Sequence, residues 1–298
     1  MFLSNTVRRI HRIVRTLPVV VAVASVALTA GPAAAAEPDP GYTTQVRTQS
    51  VPTGPAYGAA YVDCPAGSLA IASGQVVGDP DGMLLSGSTT TAGTGAFGSA
   101  YLVTGGDLQV WTTCVAAARL QGATTASVNV RSGQSMQWRY QNRTVTCPDG
   151  TVAYGGGGNV INSGVYDAAG LYTYGTVPDG RSWTYAGAGA LGTRSLLVET
   201  HCLPRQRLGT IRVVEQTIIS PDLTGRQHIF AAPRCPVGYF AFAGGGWYHT
   251  QSSGEPSWNG YLDANMMAAD QRGWYVAGDA FNPRTRLTAR VACTDRLG

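Results

Sequence analysis

Cysteine carries the most definite chemistry in this chain, because all six cysteines stand at repeated positions. Three of them open a Cys-Pro-x-Gly segment: Cys64-Pro65-Ala66-Gly67, Cys147-Pro148-Asp149-Gly150 and Cys235-Pro236-Val237-Gly238. Each is answered later by a second cysteine, at Cys114, Cys202 and Cys293. Six cysteines allow many pairings, but the repeat selects Cys64–Cys114, Cys147–Cys202 and Cys235–Cys293 as disulfides. Zinc is the poorer reading, since it wants close ligand pairs such as C-x-x-C and none occurs.

Other groupings suit ligand binding. Asp179-Gly180-Arg181-Ser182-Trp183 and Asp270-Gln271-Arg272-Gly273-Trp274 share the pattern Asp-x-Arg-x-Trp. A turn followed by a strand beginning with Trp would set a guanidinium beside an indole, and together they would hydrogen-bond and stack on a sugar. The competing expectation is structural: Trp at a strand start packs into the core, and the Asp shapes the turn. Trp247-Tyr248-His249 with Trp258-Asn259-Gly260-Tyr261 forms a second candidate platform, whose glycines and polar neighbours suggest a loop or edge. Arg181, Trp183, Arg272, Trp274, Trp247, Trp258 and Tyr261 are therefore the candidate ligand-binding residues.

Signals for catalysis are weak. Neither a G-x-S-x-G elbow nor an H-E-x-x-H pair occurs. Asp79-Pro80-Asp81-Gly82 lacks the glycine offset and closing Glu of a calcium loop, and reads as a turn. The run Gly155 to Gly158 has no helix or Lys after it, as a phosphate loop would. His201, His228 and His249 are the histidines beyond the N-terminal segment. Two carboxylates distant in sequence would still make a hydrolase if folding brought them together. No catalytic residue, metal or cofactor is assigned, and the expected function is non-catalytic binding.

Stepping from these residues to what must hold them, the first 36 residues read as an export signal. Arg8, Arg9, Arg12 and Arg15 precede the apolar run Val19 to Ala30, and Ala34-Ala35-Ala36 offers small residues before Glu37. The run is shorter than the roughly 18–20 residues that span a bilayer. These four arginines account for the whole net charge of +4. A near-neutral remainder argues against nucleic acid or an anionic membrane as partner. It leaves a glycan or an extracellular protein. An exported chain also gives the six cysteines an oxidising compartment in which to pair.

Beyond residue 36 the chain divides into three similar stretches, 37–118, 119–205 and 206–298. Apolar residues alternate before each closing cysteine: Leu108, Val110 and Thr112; Leu196, Val198 and Thr200; Leu287, Ala289 and Val291. Side chains two apart share a sheet face, so these lie on the face from which the cysteine reaches its partner. No stretch reads as a useful amphipathic helix. The expected fold is all-β: three tandem disulfide-pinned antiparallel units, sandwich-like or closed into a pseudo-threefold, β-prism-like assembly.

The pattern C-P-x-G-x-Φ-A-Φ-[AG]-[SG]-G, a later G/S-W-x-Φ and a closing L-x-Φ-x-Φ-x-C resembles a repeat of secreted actinobacterial proteins. The third unit matches best, through Gly273-Trp274-Tyr275-Val276, and the second keeps Ser182-Trp183-Thr184-Tyr185. In the first unit Ser99-Ala100-Tyr101-Leu102 takes that place, with Ala for Trp. The resemblance implies an extracellular setting and transfers no catalytic residue. The expectation is a secreted protein that recognises a surface glycan or another macromolecule through exposed aromatics. A subunit of an extracellular assembly and a hydrolase are the alternatives.

Overall fold

All three Cys-Pro-x-Gly segments close the same turn. Ser68 donates its backbone N–H to the Pro65 carbonyl at 3.0 Å, Thr151 to Pro148 at 3.1 Å, and Tyr239 to Pro236 at 3.0 Å. The glycine before each donor has φ of +78°, +79° or +82°, a conformation that costs any residue with a Cβ. Nothing lies within 4 Å of where those Cβ atoms would sit, so conformation rather than crowding selects glycine.

The computed structural model describes residues 41–298 except 55, 80, 91, 132–138, 163–164, 167–171, 179, 190–193, 223–224 and 250–259. The proposed signal segment, Asp179 and Trp258 lie outside the described residues. Unit 1 holds β1 (Thr43–Val51), β2 (Ala56–Asp63), β3 (Ser68–Val77), β4 (Met83–Thr89), β5 (Gly95–Leu102) and β6 (Gly106–Ala116). Unit 2 holds β7 (Thr124–Arg131), β8 (Arg139–Thr146), β9 (Thr151–Asn162), the short β10 (Val165–Tyr166), β11 (Tyr172–Pro178), β12 (Ser182–Gly189) and β13 (Arg194–Pro204). Unit 3 holds β14 (Ile211–Ile219), β15 (Gln227–Ala231), β16 (Phe240–His249), β17 (Gly260–Met267), β18 (Trp274–Ala280) and β19 (Arg286–Thr294). Among the described residues no helix is long and apolar enough to cross a membrane.

Each unit builds two antiparallel three-stranded sheets with one connectivity. In unit 1 these are β1-β6-β3 and β2-β5-β4; in unit 2, β7-β13-β9 and β8-β12-β11; in unit 3, β14-β19-β16 and β15-β18-β17. The half-sheets then join across units. β3 pairs β17 through Val76↔Ala264, β4 pairs β9 through Gly87↔Gly158, and β11 lies against β16. The joins run in a cycle, unit 1 to unit 3, unit 1 to unit 2 and unit 2 to unit 3, as a pseudo-threefold arrangement requires. Glu37–Gly298 is accordingly one contact unit rather than three beads.

The alternating residues before the closing cysteines face inward: Leu108, Val110, Leu287, Ala289 and Val291 are fully buried. The bridges Cys64–Cys114, Cys147–Cys202 and Cys235–Cys293 close loops of 50, 55 and 58 residues. All six cysteines are thereby used, as an oxidising environment favours.

Candidate functional site

The tryptophans of the Asp-x-Arg-x-Trp pattern are core residues. Trp183 and Trp274 are each 3% exposed, and each lies on the glycine run of its own unit. A Cβ on Gly156 would come within 2.9 Å of the Trp183 ring, and one on Gly244 within 2.2 Å of Trp274. The glycine runs are thus the floor on which the indoles pack. Trp274 also donates its ring N–H to Asn265 Oδ1 at 2.6 Å. The sugar-stacking expectation for these two residues is corrected by this geometry: an indole pressed on backbone inside the fold has no face left for a ligand.

The same correction covers Trp247 and Tyr261. Trp247 is buried on β16 beneath the Arg290 guanidinium, 5.2 Å from the ring. Tyr261 is buried on β17 with Arg226 over its face at 4.9 Å. Arg181 is exposed, but it is held by the Cys147 carbonyl and by Asp149 of its own Cys-Pro-x-Gly turn. Arg272 is half-buried, and its carbonyl accepts from the Cys235 N–H. Thr94 and Arg181 accept from Cys64 and Cys147 in the same way. This aligns Gly95-Ala96-Phe97-Gly98, not Ser99 to Leu102, with the tryptophan strands. Ala96 is the residue in the indole position.

The exposed tyrosines are elsewhere, on the outer face of unit 1, while Phe230 and Phe281 are the exposed rings of unit 3. Strand β2 alternates buried Gly58, Ala60 and Val62 with exposed Tyr57, Ala59 and Tyr61. Tyr57 lies opposite Tyr101 of β5, ring to ring at 5.0 Å, and Tyr61 opposite Phe97 at 4.6 Å. Tyr57 and Tyr61 remain 52% and 56% exposed. Two ring pairs therefore stand about 14 Å apart along one strand, at roughly 3.4 Å per residue. The signal was legible as period-two alternation, but Tyr57 and Tyr61 are not contiguous with any tryptophan motif.

A cleft of about 680 Å³ opens on the face that units 1 and 3 share, between the end of β3 and strands β15, β17 and β18. Its walls carry four carboxylates, one arginine, one histidine and one tyrosine. Asp79 is structural. It accepts from the backbone N–H of Val103 at 2.6 Å and Thr104 at 2.8 Å, from the Thr104 hydroxyl at 2.8 Å, and from the Asp81 N–H at 3.0 Å. Burial pushes its carboxyl up, but these donors outweigh it and hold it below its ordinary value. Arg226 bridges Asp81 and the buried Asp279, with Nε 2.6 Å from Asp279 Oδ2. Opposite them His228 Nε2 meets Asp263 Oδ2 at 2.9 Å. Burial raises the Asp263 carboxyl, His228 opposes that, and the neighbouring Asp279 charge adds to it. Tyr275 is pushed up by burial and by Asp263, so its hydroxyl stays a donor. Its ring stacks on the exposed Phe230 at 5.9 Å. Among the described residues no group of three His, Cys, Asp or Glu is placed to hold a metal ion.

The chain matches no family model and no curated protein. The two surfaces must therefore be read from their own chemistry. The cleft had no sequence signal, because Asp263, Asp279, His228 and Asp81 belong to four separate segments.

Proposed function

We propose that this is a secreted, non-catalytic binding protein that captures a neutral extracellular polysaccharide on the aromatic strip of unit 1. The observation that carries the reading is the set of four rings in register on β2 and β5, two of them more than half exposed. Aromatic side chains present large, rigid area at low entropic cost, and a contiguous exposed patch of them calls for a partner. Between its ring pairs the strip bears Ala59, and the charge that follows on the same face, exposed Asp63, is negative, which disfavours an acidic polymer and suits an uncharged one. The three disulfides and the N-terminal basic-plus-apolar segment support an extracellular setting.

Sedimentation with insoluble polysaccharides and bacterial cell walls tests the reading. The parent is expected in the pellet with at least one neutral polymer, and Tyr57→Ala/Tyr61→Ala in the supernatant. Background binding to every polymer, or equal retention of the double variant, would overturn it. A second reading, an interaction subunit, is favoured by exposed Val213 and Ile219 on β14, at the end of its sheet. It predicts a specific protein cross-linked through β14, with Val213→Thr/Ile219→Thr abolishing capture.

A further inference from the structure

Pseudo-threefold folding gives this chain an internal control that separates scaffold from site. The same cross-strand pair occurs once in each unit: Tyr57↔Tyr101, Tyr140↔Ala188 and His228↔Asp279. One bulge recurs on the next strand, passing over Leu85 between Leu84 and Ser86, over Tyr174 between Thr173 and Gly175, and over Asp263 between Leu262 and Ala264. Two units hold these positions with apolar or aromatic residues, so the scaffold does not need charge there. Unit 3 differs at all three, with His228, Asp279 and Asp263. Two of these are carboxylates taken largely out of water, with 5% and 13% of the side chain exposed. Burying carboxylates costs stability unless they are paired, and a cost accepted at one of three equivalent places marks function.

We propose that the cleft beside Asp263 is a second saccharide site, one that seats a short uncharged oligosaccharide rather than a polymer surface. Its volume of about 680 Å³ lies within the range of small-ligand pockets. The Tyr275 ring, a lining residue stacked on Phe230 beside it, offers an apolar wall for a sugar's C–H face. Across from it, Asp263 accepts from sugar hydroxyls: His228 and its own backbone N–H occupy part of a carboxylate's four or so acceptor sites. The Tyr275 hydroxyl and the half-exposed His228 supply donors. Four carboxylates against one arginine give the walls a negative potential that excludes uronates and other acidic sugars. The site is separate from the aromatic strip and does not depend on it.

Isothermal titration of the whole protein decides the matter, with chito-, cello-, manno- and malto-tetraose as neutral probes and tetragalacturonate as the acidic one. At least one neutral probe is expected to bind, and tetragalacturonate is not. Asp263→Asn and Tyr275→Ala should each weaken binding about tenfold or more, while Tyr57→Ala/Tyr61→Ala leaves it unchanged. His228→Ala, at a half-exposed ring that partners Asp263, is the second variant; its folding is checked by thermal melting, and it should weaken binding in the same direction. No binding by any neutral probe, equal binding of tetragalacturonate, or parental affinity in both Asp263→Asn and His228→Ala would overturn the proposal. Failure of the strip alone would appear as loss of sedimentation with calorimetric binding intact.

Discussion

Units 1 and 3 share strand order, turn and disulfide, yet they differ in how they fill the core and in what they show outside. Inside, unit 3 places Trp274 and Val276 of β18 against Gly244 and Gly246 of β16. Unit 1 reverses the sizes: Ala96 and Gly98 of β5 replace Trp and Val, and Ser73 and Gln75 of β3 replace the glycines. A Cβ on Gly98 would meet the Gln75 side chain at 2.8 Å. Bulk moves to the other strand, but Ser73 and Gln75 do not match the volume of an indole and a valine, so the surrounding side chains of unit 1 must close around a smaller set. Outside, the Tyr57/Tyr101 pair of unit 1 becomes His228/Asp279 in unit 3. A core position is answered by its partner, whereas a surface position is free to acquire a task.

The shared scaffold predicts the largest effect. Removing Cys64–Cys114 or Cys235–Cys293 by paired Ser substitution should cost about 4 kcal/mol in either unit, since the closed loops of 50 and 58 residues are nearly equal. Unequal losses in denaturant midpoints would break the equivalence. Arg226→Met comes next, because it strands buried Asp279 without its cation. A loss of about 2–3 kcal/mol is expected near neutral pH, below the fully buried case because Arg226 is itself a third exposed. Unit 1, with tyrosines in place of His228 and Asp279, has no counterpart to this loss.

The core comparison is sharpened by Gly244→Ala, which drives a methyl into Trp274 and should cost about 2 kcal/mol. Its counterpart Ser73→Ala removes a hydroxyl where the unit has Ala96 in place of the packed indole, and should stay within about 0.5 kcal/mol. The smallest effect has the opposite sign. Asp263→Leu, copying the unit 1 residue at the bulge, should raise Tm by about 2–4 °C at pH 7. The folded carboxyl sits above its ordinary 3.8. Its ionisation therefore opposes folding above the folded pKa, and that cost disappears as pH falls toward 3.8. The gain of the variant should shrink over the same range, as scanning calorimetry from pH 7 to pH 4 would show. A gain that does not change with pH would place its origin in packing rather than charge.

Much of the frame was legible in the residues. Pro65-Ala66-Gly67-Ser68 and its two copies specify a turn through local backbone chemistry, and Leu108, Val110, Leu287 and Val291 mark an inner face by period two. The pairing of cysteines followed from the repeat and is the pairing observed. The candidate site was legible only in kind. Trp183 and Trp274 carried a binding-like spacing, but the glycines that receive them come from another strand of the unit. Exposure could not be read from either segment alone. Tyr57 and Tyr61 carried the right alternation but gained meaning only once Tyr101 and Phe97 were set opposite them. The first unit's counterpart to the tryptophan also needed the Cys64-to-Thr94 backbone bond to place it at Ala96.

Sequence by itself determined the all-β class, the three-part organisation and the disulfide register, because turns, alternation and cysteine spacing are short-range or self-repeating properties of a chain. Tertiary structure decided that half-sheets of neighbouring units join into common faces, that the tryptophans turn inward, and that Asp263, His228, Arg226 and Asp279 share one cleft. Those outcomes depend on contacts between strands far apart in sequence, where burial, charge and packing are fixed by the partner that arrives and not by the segment that waits for it.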